Sequence, residues 1–145
     1  MTAMGTCAIV LGATRVSARD AVLDPGNERV LRVGETLRYD SGLKITFLAV
    51  RNDSRCPINA RCTWAGDAEV VLRVKAGNQA ARTVSIHTNL KPRKVVIPAN
   101  VFAPGMAGIS KSYIIGIAEL TPQPEAGKKT LQSDHRLKLQ ISVAQ

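Results

Sequence analysis

The chain has 145 residues, 45% of them apolar, and a formal charge of +9. That length holds one domain with a real core and is too short for two comfortable ones. Aromatics make up only 3% of the chain (Tyr39, Phe47, Trp64, Phe102 and Tyr113), which leaves little for stacking nucleic-acid bases and builds the interior from Val, Ile, Leu and Ala, residues suited to pleated sheets.

Residues 1–18 differ from the rest. Residues 3–14 are small and apolar, include Cys7-Ala8-Ile9-Val10-Leu11, and lead to Val16-Ser17-Ala18, which has small residues where a signal peptidase cuts. The expectation is a signal peptide over 1–18, followed by a single β-sandwich domain over 19–145 and a periplasmic or extracellular location. No Lys or Arg precedes the apolar run, and the run is short; a start placed too far downstream explains both. The rival reading is a lipid anchor on Cys7, against which Thr6 stands where a smaller residue normally precedes such a cysteine. No stretch after Ala18 approaches the roughly 20 apolar residues of a spanning helix. Without the leader, two cysteines remain, Cys56 and Cys62. An even pair in an oxidising compartment reads as a disulfide.

Alternation with period two then recurs along the chain, and helical periodicity is nearly absent. Residues 30–33 form a first short strand. Thr36-Leu37-Arg38-Tyr39 and the alternating Leu43, Ile45, Phe47 and Ala49 flank Asp40-Ser41-Gly42, which reads as a hairpin. Ala68, Val70, Leu72 and Val74 alternate with Glu69, Val71, Arg73 and Lys75, and Ala76-Gly77-Asn78 turns the chain into Arg82-Thr83-Val84-Ser85-Ile86, a second hairpin. Residues 94–97 form a short strand expected to stop at Pro98. Tyr113, Ile115 and Ile117 face one way in a longer strand that Pro122 and Pro124 terminate. Leu137, Leu139, Ile141 and Val143 close the series. Seven or eight strands without intervening helices predict an all-β, antiparallel sandwich of immunoglobulin-like or Greek-key type. A sandwich is preferred to a barrel because several strands have one polar face. Residues 99–110 and 122–135 are the long surface connections.

The distinctive motif is Asp53-Ser54-Arg55-Cys56-Pro57-Ile58-Asn59-Ala60-Arg61-Cys62-Thr63-Trp64-Ala65-Gly66. A Cys56–Cys62 bridge closes a seven-residue ring worth about 2.4 kcal/mol by chain entropy. It is expected to pin a crossover between layers, with Trp64 laid on the disulfide or sealing one end of the sandwich. Gly66 allows the chain to turn back, and Asp53 and Ser54 are turn formers. Together with the late Tyr-x-Ile strand and Pro-x-Pro, the motif resembles that of a group of small, uncharacterised bacterial exported or lipoprotein-like β-sandwich proteins. The resemblance is specific over the fourteen residues and extends over the remaining strands only as a pattern. It implies an exported all-β domain with Cys56 bonded to Cys62 and structural roles for Asp53, Arg55, Pro57, Trp64 and Gly66, and it carries no activity with it.

Chemistry is sparse. A redox dithiol calls for Cys-x-x-Cys at a helix start. A zinc site from Cys56, Cys62, His87 and His135 lacks the usual paired spacing; the two histidines are expected in surface or loop positions beside polar neighbours. No Gly-x-Ser-x-Gly or placed acid pair is visible, Glu119 and Glu125 included, so neither enzyme nor cofactor is expected. Charge is more informative. Residues 70–145 carry eleven Lys/Arg against three acids, and residues 1–69 carry nine against eight. Lys91, Arg93 and Lys94 form the best local basic feature, a candidate contact for envelope polyanions such as lipopolysaccharide or anionic lipid headgroups. The leading reading is a non-enzymatic exported binding module for an envelope component or protein, making at most weak contact with an anionic membrane surface and none with nucleic acid. Two alternatives are a protease inhibitor presenting the loop from Arg55 to Arg61, and a metal-binding or hydrolytic protein on the same scaffold.

Overall fold

The computed structural model describes residues 20–23, 30–40, 42–101 and 109–144. The expected leader, its Val16-Ser17-Ala18 end, Cys7 and the middle of the 99–110 connection lie outside the described residues.

Two sheets face each other, as the alternation requires. One has the order β1-β3-β4-β5-β6, the other β2-β9-β8-β7. The first contains Asp20–Leu23 (β1), Thr36–Tyr39 (β3), Leu43–Arg51 (β4), Glu69–Ala76 (β5) and Arg82–His87 (β6). The second contains Val30–Arg32 (β2), Lys94–Val101 (β7), Ile109–Thr121 (β8) and Arg136–Ala144 (β9). Eight strands pair antiparallel; β1 departs from this and runs parallel to β3. Strands β3 to β6 are successive hairpins, as are β7 to β9, and β2 and β9 are the one antiparallel pair of non-consecutive strands. The runs β3–β6 and β7–β9 are thus meanders, each extended at one edge by a strand from earlier in the chain. β2, separated from β7 by the four strands β3–β6 of the other sheet, lies beside β9, which gives the four-stranded sheet the Greek-key order expected from the sequence.

Pro98 does not stop its strand. β7 continues to Val101, with Pro98 in register with Ser112. An edge strand accommodates this, since the missing N–H costs no ladder bond on its outer side. β8 does end where expected, at Thr121 before Pro122.

The inner faces meet in one apolar core. Leu31, Ile45, Phe47, Val70, Leu72, Ile86, Ile97, Ile115 and Leu137 are wholly buried, and fully burying side chains of this size stabilises by about 1.5–3 kcal/mol each. Tyr113 is buried completely, and its hydroxyl donates to the Asp40 carboxylate, 2.8 Å and 3.0 Å from its two oxygens. This bond ties β8 of one sheet to the β3–β4 turn of the other. Asp40, at φ 49°, also accepts from Gly42 N at 2.6 Å, and the Tyr39 ring meets Tyr113 edge-on, centroids 6.3 Å apart. Burial, then the bond to Asp40, pushes the Tyr113 phenol well above its ordinary range. Tyr113→Phe is expected to lower unfolding free energy by about 1.5 kcal/mol, the low end for a bond to a charged acceptor because exposed Asp40 regains water. A urea titration measures it; an unchanged midpoint would contradict the assigned tie.

Candidate functional site

Three connections gather at one end of the sandwich: residues 52–68 between β4 and β5, 88–93 between β6 and β7, and 122–135 between β8 and β9. The first carries the cysteine motif. Ser54 N donates to Asp67 O at 2.7 Å and Cys56 N to Ala65 O at 2.9 Å, so the β4–β5 hairpin continues as a ladder toward its tip. The register advances by one residue after Arg51–Glu69, and Asn52, at φ 48°, occupies the irregular position. Cys56 and Cys62 are joined, with Cα atoms 5.9 Å apart. The expected pinned crossover between layers is therefore corrected. β4 and β5 are neighbours in one sheet, and the bridge braces a hairpin tip.

Arg55 is the hub of this end. Its guanidinium grips Asp53 through Nε–Oδ1 at 2.8 Å and Nη2–Oδ2 at 2.7 Å, and donates to Leu120 O at 2.6 Å and Pro122 O at 2.9 Å. The planar fork satisfies a carboxylate and two carbonyls of the other sheet's last turn at once, a geometry lysine lacks. Gly66 has φ +66°, and a Cβ there would overlap the Ser54 carbonyl. The close ladder thus demands glycine twice over. Pro57 starts the tip, where its carbonyl accepts from Ala60 N at 3.1 Å.

Trp64 does not seal the sandwich. It is 82% exposed, the most exposed large apolar side chain among the described residues. Ile58, Leu90 and Leu131 are also exposed at this end, one or more from each connection. The tip is held against residues 122–135 by Ile58 N to Pro124 O at 2.9 Å and by Asn59, whose amide bonds Ala126 N at 2.7 Å and Ala126 O at 3.2 Å. Gln132, in the short 3₁₀ turn Gln132–Asp134, presents its amide to β4 as a strand would: Oε1 accepts from Val50 N at 2.9 Å and Nε2 donates to Val50 O at 2.7 Å. A cleft of about 370 Å³ lies between Ile58 and the Lys128–Thr130 segment; Glu125 and Asp134 line it too, so its charge is mixed.

The basic connection is equally constrained. Asp67 is buried, and its carboxylate receives Asn89 N at 2.8 Å, Leu90 N at 3.1 Å, Thr88 Oγ1 at 3.2 Å and His87 Nδ1 at 2.6 Å. Burial disfavours its charge, but these bonds outweigh that and hold Asp67 at about 2. Asn89 Nδ2 reaches Gly66 O at 2.6 Å, and Arg93 Nε donates to Asn89 O at 3.0 Å. Lys91, Arg93 and Lys94 are all exposed on this fixed loop. The acids here are engaged by the loops themselves: Asp53 by Arg55, Asp67 as above, Glu125 by Lys128 at 3.7 Å, and Asp134 by Leu131 N at 2.9 Å.

The histidines depart from expectation. His87 is half-buried against Asp67, and His135 is 3% exposed with Nδ1 unpartnered. Burial, countered in part by Asp53 and reinforced by Arg55, pulls the His135 imidazole below its usual value. The four-ligand set of Cys56, Cys62, His87 and His135 is not assembled, because the two sulfurs are bonded to each other. The sequence reading missed Trp64 as a surface residue, Asp67 as an organiser and Gln132 as a clamp. Asp67 alone carried a hint, as an acid directly after a turn glycine and just ahead of an apolar strand.

Arg55→Lys is expected to lower unfolding free energy by about 2 kcal/mol, through loss of bonds to a carboxylate and to the Leu120 and Pro122 carbonyls, as read by a urea midpoint. For Asp67, the native value lies below the ordinary aspartate value of 3.8, so its stabilisation is complete above pH 3.8 and is lost as pH falls toward about 2. The window spans about 2 kcal/mol, and melting curves of Asp67→Asn should lack that slope. The chain matches no family model, no curated protein and no solved structure.

Proposed function

We propose that the protein is an exported, non-enzymatic binding module that touches an anionic envelope surface with its loop end. The observation that carries this reading is Trp64, 82% exposed on a tip braced by a disulfide. A large indole in water on a constrained loop costs little ordering entropy on binding and has an apolar body with a polar handle, the properties of an interfacial anchor. Ile58, Leu90 and Leu131 extend the apolar contact, and exposed Arg61, Lys91, Arg93, Lys94 and Lys129 surround it. Apolar side chains beside exposed bases match the boundary between acyl chains and anionic headgroups. Export is supported by the disulfide, which persists in oxidising compartments, and by the apolar residues 3–14 ahead of small residues. No helix of the described residues is long and apolar enough to cross a membrane. The inhibitor alternative is weakened, because Arg55 is turned inward onto Asp53 and two carbonyls and only Arg61 remains outward.

Trp64 is the sole tryptophan, so its fluorescence reports the contact directly. Titration with vesicles containing phosphatidylglycerol should shift emission to the blue, and vesicles of phosphatidylcholine alone should do so far less. Replacing Lys91, Arg93 and Lys94 by Glu should weaken the anionic-vesicle partition by about a hundredfold or more at low salt, since three bases near such a surface together contribute about 3 kcal/mol before screening. Emission unchanged by either vesicle would refute the loop-end reading.

A further inference from the structure

The meander places a second group of bases far from the loop end. On the outer face of the five-stranded sheet, Arg38, Lys44 and Lys75 stand side by side on β3, β4 and β5, and Thr36, Thr46, Arg73 and Thr83 form the next row. Adjacent strands lie about 4.8 Å apart, so Lys44 and Lys75 are directly opposed like charges, with Arg73 diagonal to Lys44. Such juxtaposition destabilises a sheet. Nothing in the core requires it, because these side chains point away from the interior: Lys44, Arg73 and Lys75 are exposed, while Leu43, Ile45, Leu72 and Val74 between them are buried.

The group surrounds a shallow concavity of about 300 Å³ lined by Thr36, Arg38, Lys44, Thr46, Arg73 and Lys75. No acid lines it. Two acids share the sheet by register, Asp20 beside Thr36 on β1 and Glu69 at the other end of β5; Glu69 is six residues from Lys75, about 20 Å along the strand. The Thr36 and Thr46 hydroxyls bond each other at 2.8 Å, which leaves lone pairs and one proton for a ligand.

The geometry points to this face as a binding site for an acidic polysaccharide, whose sulfate, phosphate or carboxylate groups meet Lys44, Arg73 and Lys75 and whose hydroxyls meet Thr36 and Thr46. The chemistry separates this occupant from others. The lining has no aromatic platform for bases and, Ala81 apart, no apolar side chain to enter a lipid layer. A flat, open surface of cations and hydroxyls suits an extended chain of charged, hydroxylated rings. The bound anion also offsets the repulsion that the free face carries. The site is distinct from the loop end and does not rest on the reading given for that end.

The test uses the whole chain and a heparin oligosaccharide as probe, measured by titration calorimetry at low salt. Replacing Lys44, Arg73 and Lys75 by Gln should weaken heparin binding by about tenfold, in line with three exposed charge contacts. Replacing Lys91, Arg93 and Lys94 by Gln removes the same net charge and should weaken it by less than about threefold. In anionic-vesicle partition the order should reverse, which separates failure of this site from failure of the loop-end reading. Without ligand, the sheet-face variant should melt higher than the parent, because repulsion is relieved; Lys75→Gln alone carries the same comparison if the triple variant does not fold. Equal losses of heparin binding in the two triple variants would reduce the effect to net charge and overturn the proposal. So would tighter binding of single-stranded DNA of matched length and charge.

Discussion

At the loop end, the Arg55 guanidinium joins the hairpin of one sheet to the end of the other. Its own hairpin belongs to the first sheet, and the carbonyls of Leu120 and Pro122 belong to the end of β8 in the second. Asp53 holds the fork in place from two residues away. Because the guanidinium is nearly enclosed, its side chain only 11% exposed, these bonds act in a medium of low dielectric where charge-assisted geometry is strong and a missing partner is costly. Arg55 joins the disulfide hairpin to the start of the 122–135 connection, and Asp67 joins the 88–93 connection to the same hairpin, so the three form one end of the molecule instead of independent loops.

The same economy governs the polar groups nearby. Asp67 organises the basic connection from beneath, Gln132 closes the free edge of β4 with a side-chain amide, and Asn59 does the same for Ala126. Each substitutes a side chain for a backbone partner where the ladder has run out, which a buried or half-buried strand end requires. At the loop end Asp53 and Asp67 are engaged in bonds within the connections, while Arg61, Lys91, Arg93 and Lys94 are exposed. Exposed bases of a chain with net charge +9 thus stand in two regions, one bordered by exposed indole and aliphatic groups and the other by threonine hydroxyls. Their differing neighbours suggest differing ligand chemistry, lipid headgroup at one and polysaccharide at the other.

Much of the scaffold was legible in the residues. Period-two alternation at Leu43, Ile45 and Phe47 and at Val70, Leu72 and Val74 states which side is buried, and the turn residues between them state the hairpins. Cysteine parity read the bridge correctly. The detailed strand order was not legible, because alternation marks which side of a strand is buried and says nothing of which strand lies next to it, so the return of β2 to the edge of β9 had no local signal. Pro98 misled for a related reason: proline interrupts a central strand but not an edge, and edge position is a property of the sheet. Trp64 was misplaced by its hydrophobicity, the usual guide to burial, although large apolar groups on tight tips have no core within reach. Asp67 and Gln132 act on partners about 20 and 82 residues distant, and no local pattern announces such bonds.

Native-state amide exchange at residue resolution tests most directly whether the three connections form one fixed end. The amides of Cys56, Ile58, Asn89, Leu90 and Ala126 donate to identified acceptors outside the strands, and they should exchange with protection comparable to amides in β4 and β5. Exchange of all five at the rate of an unstructured peptide, with the strand amides still protected, would contradict the account.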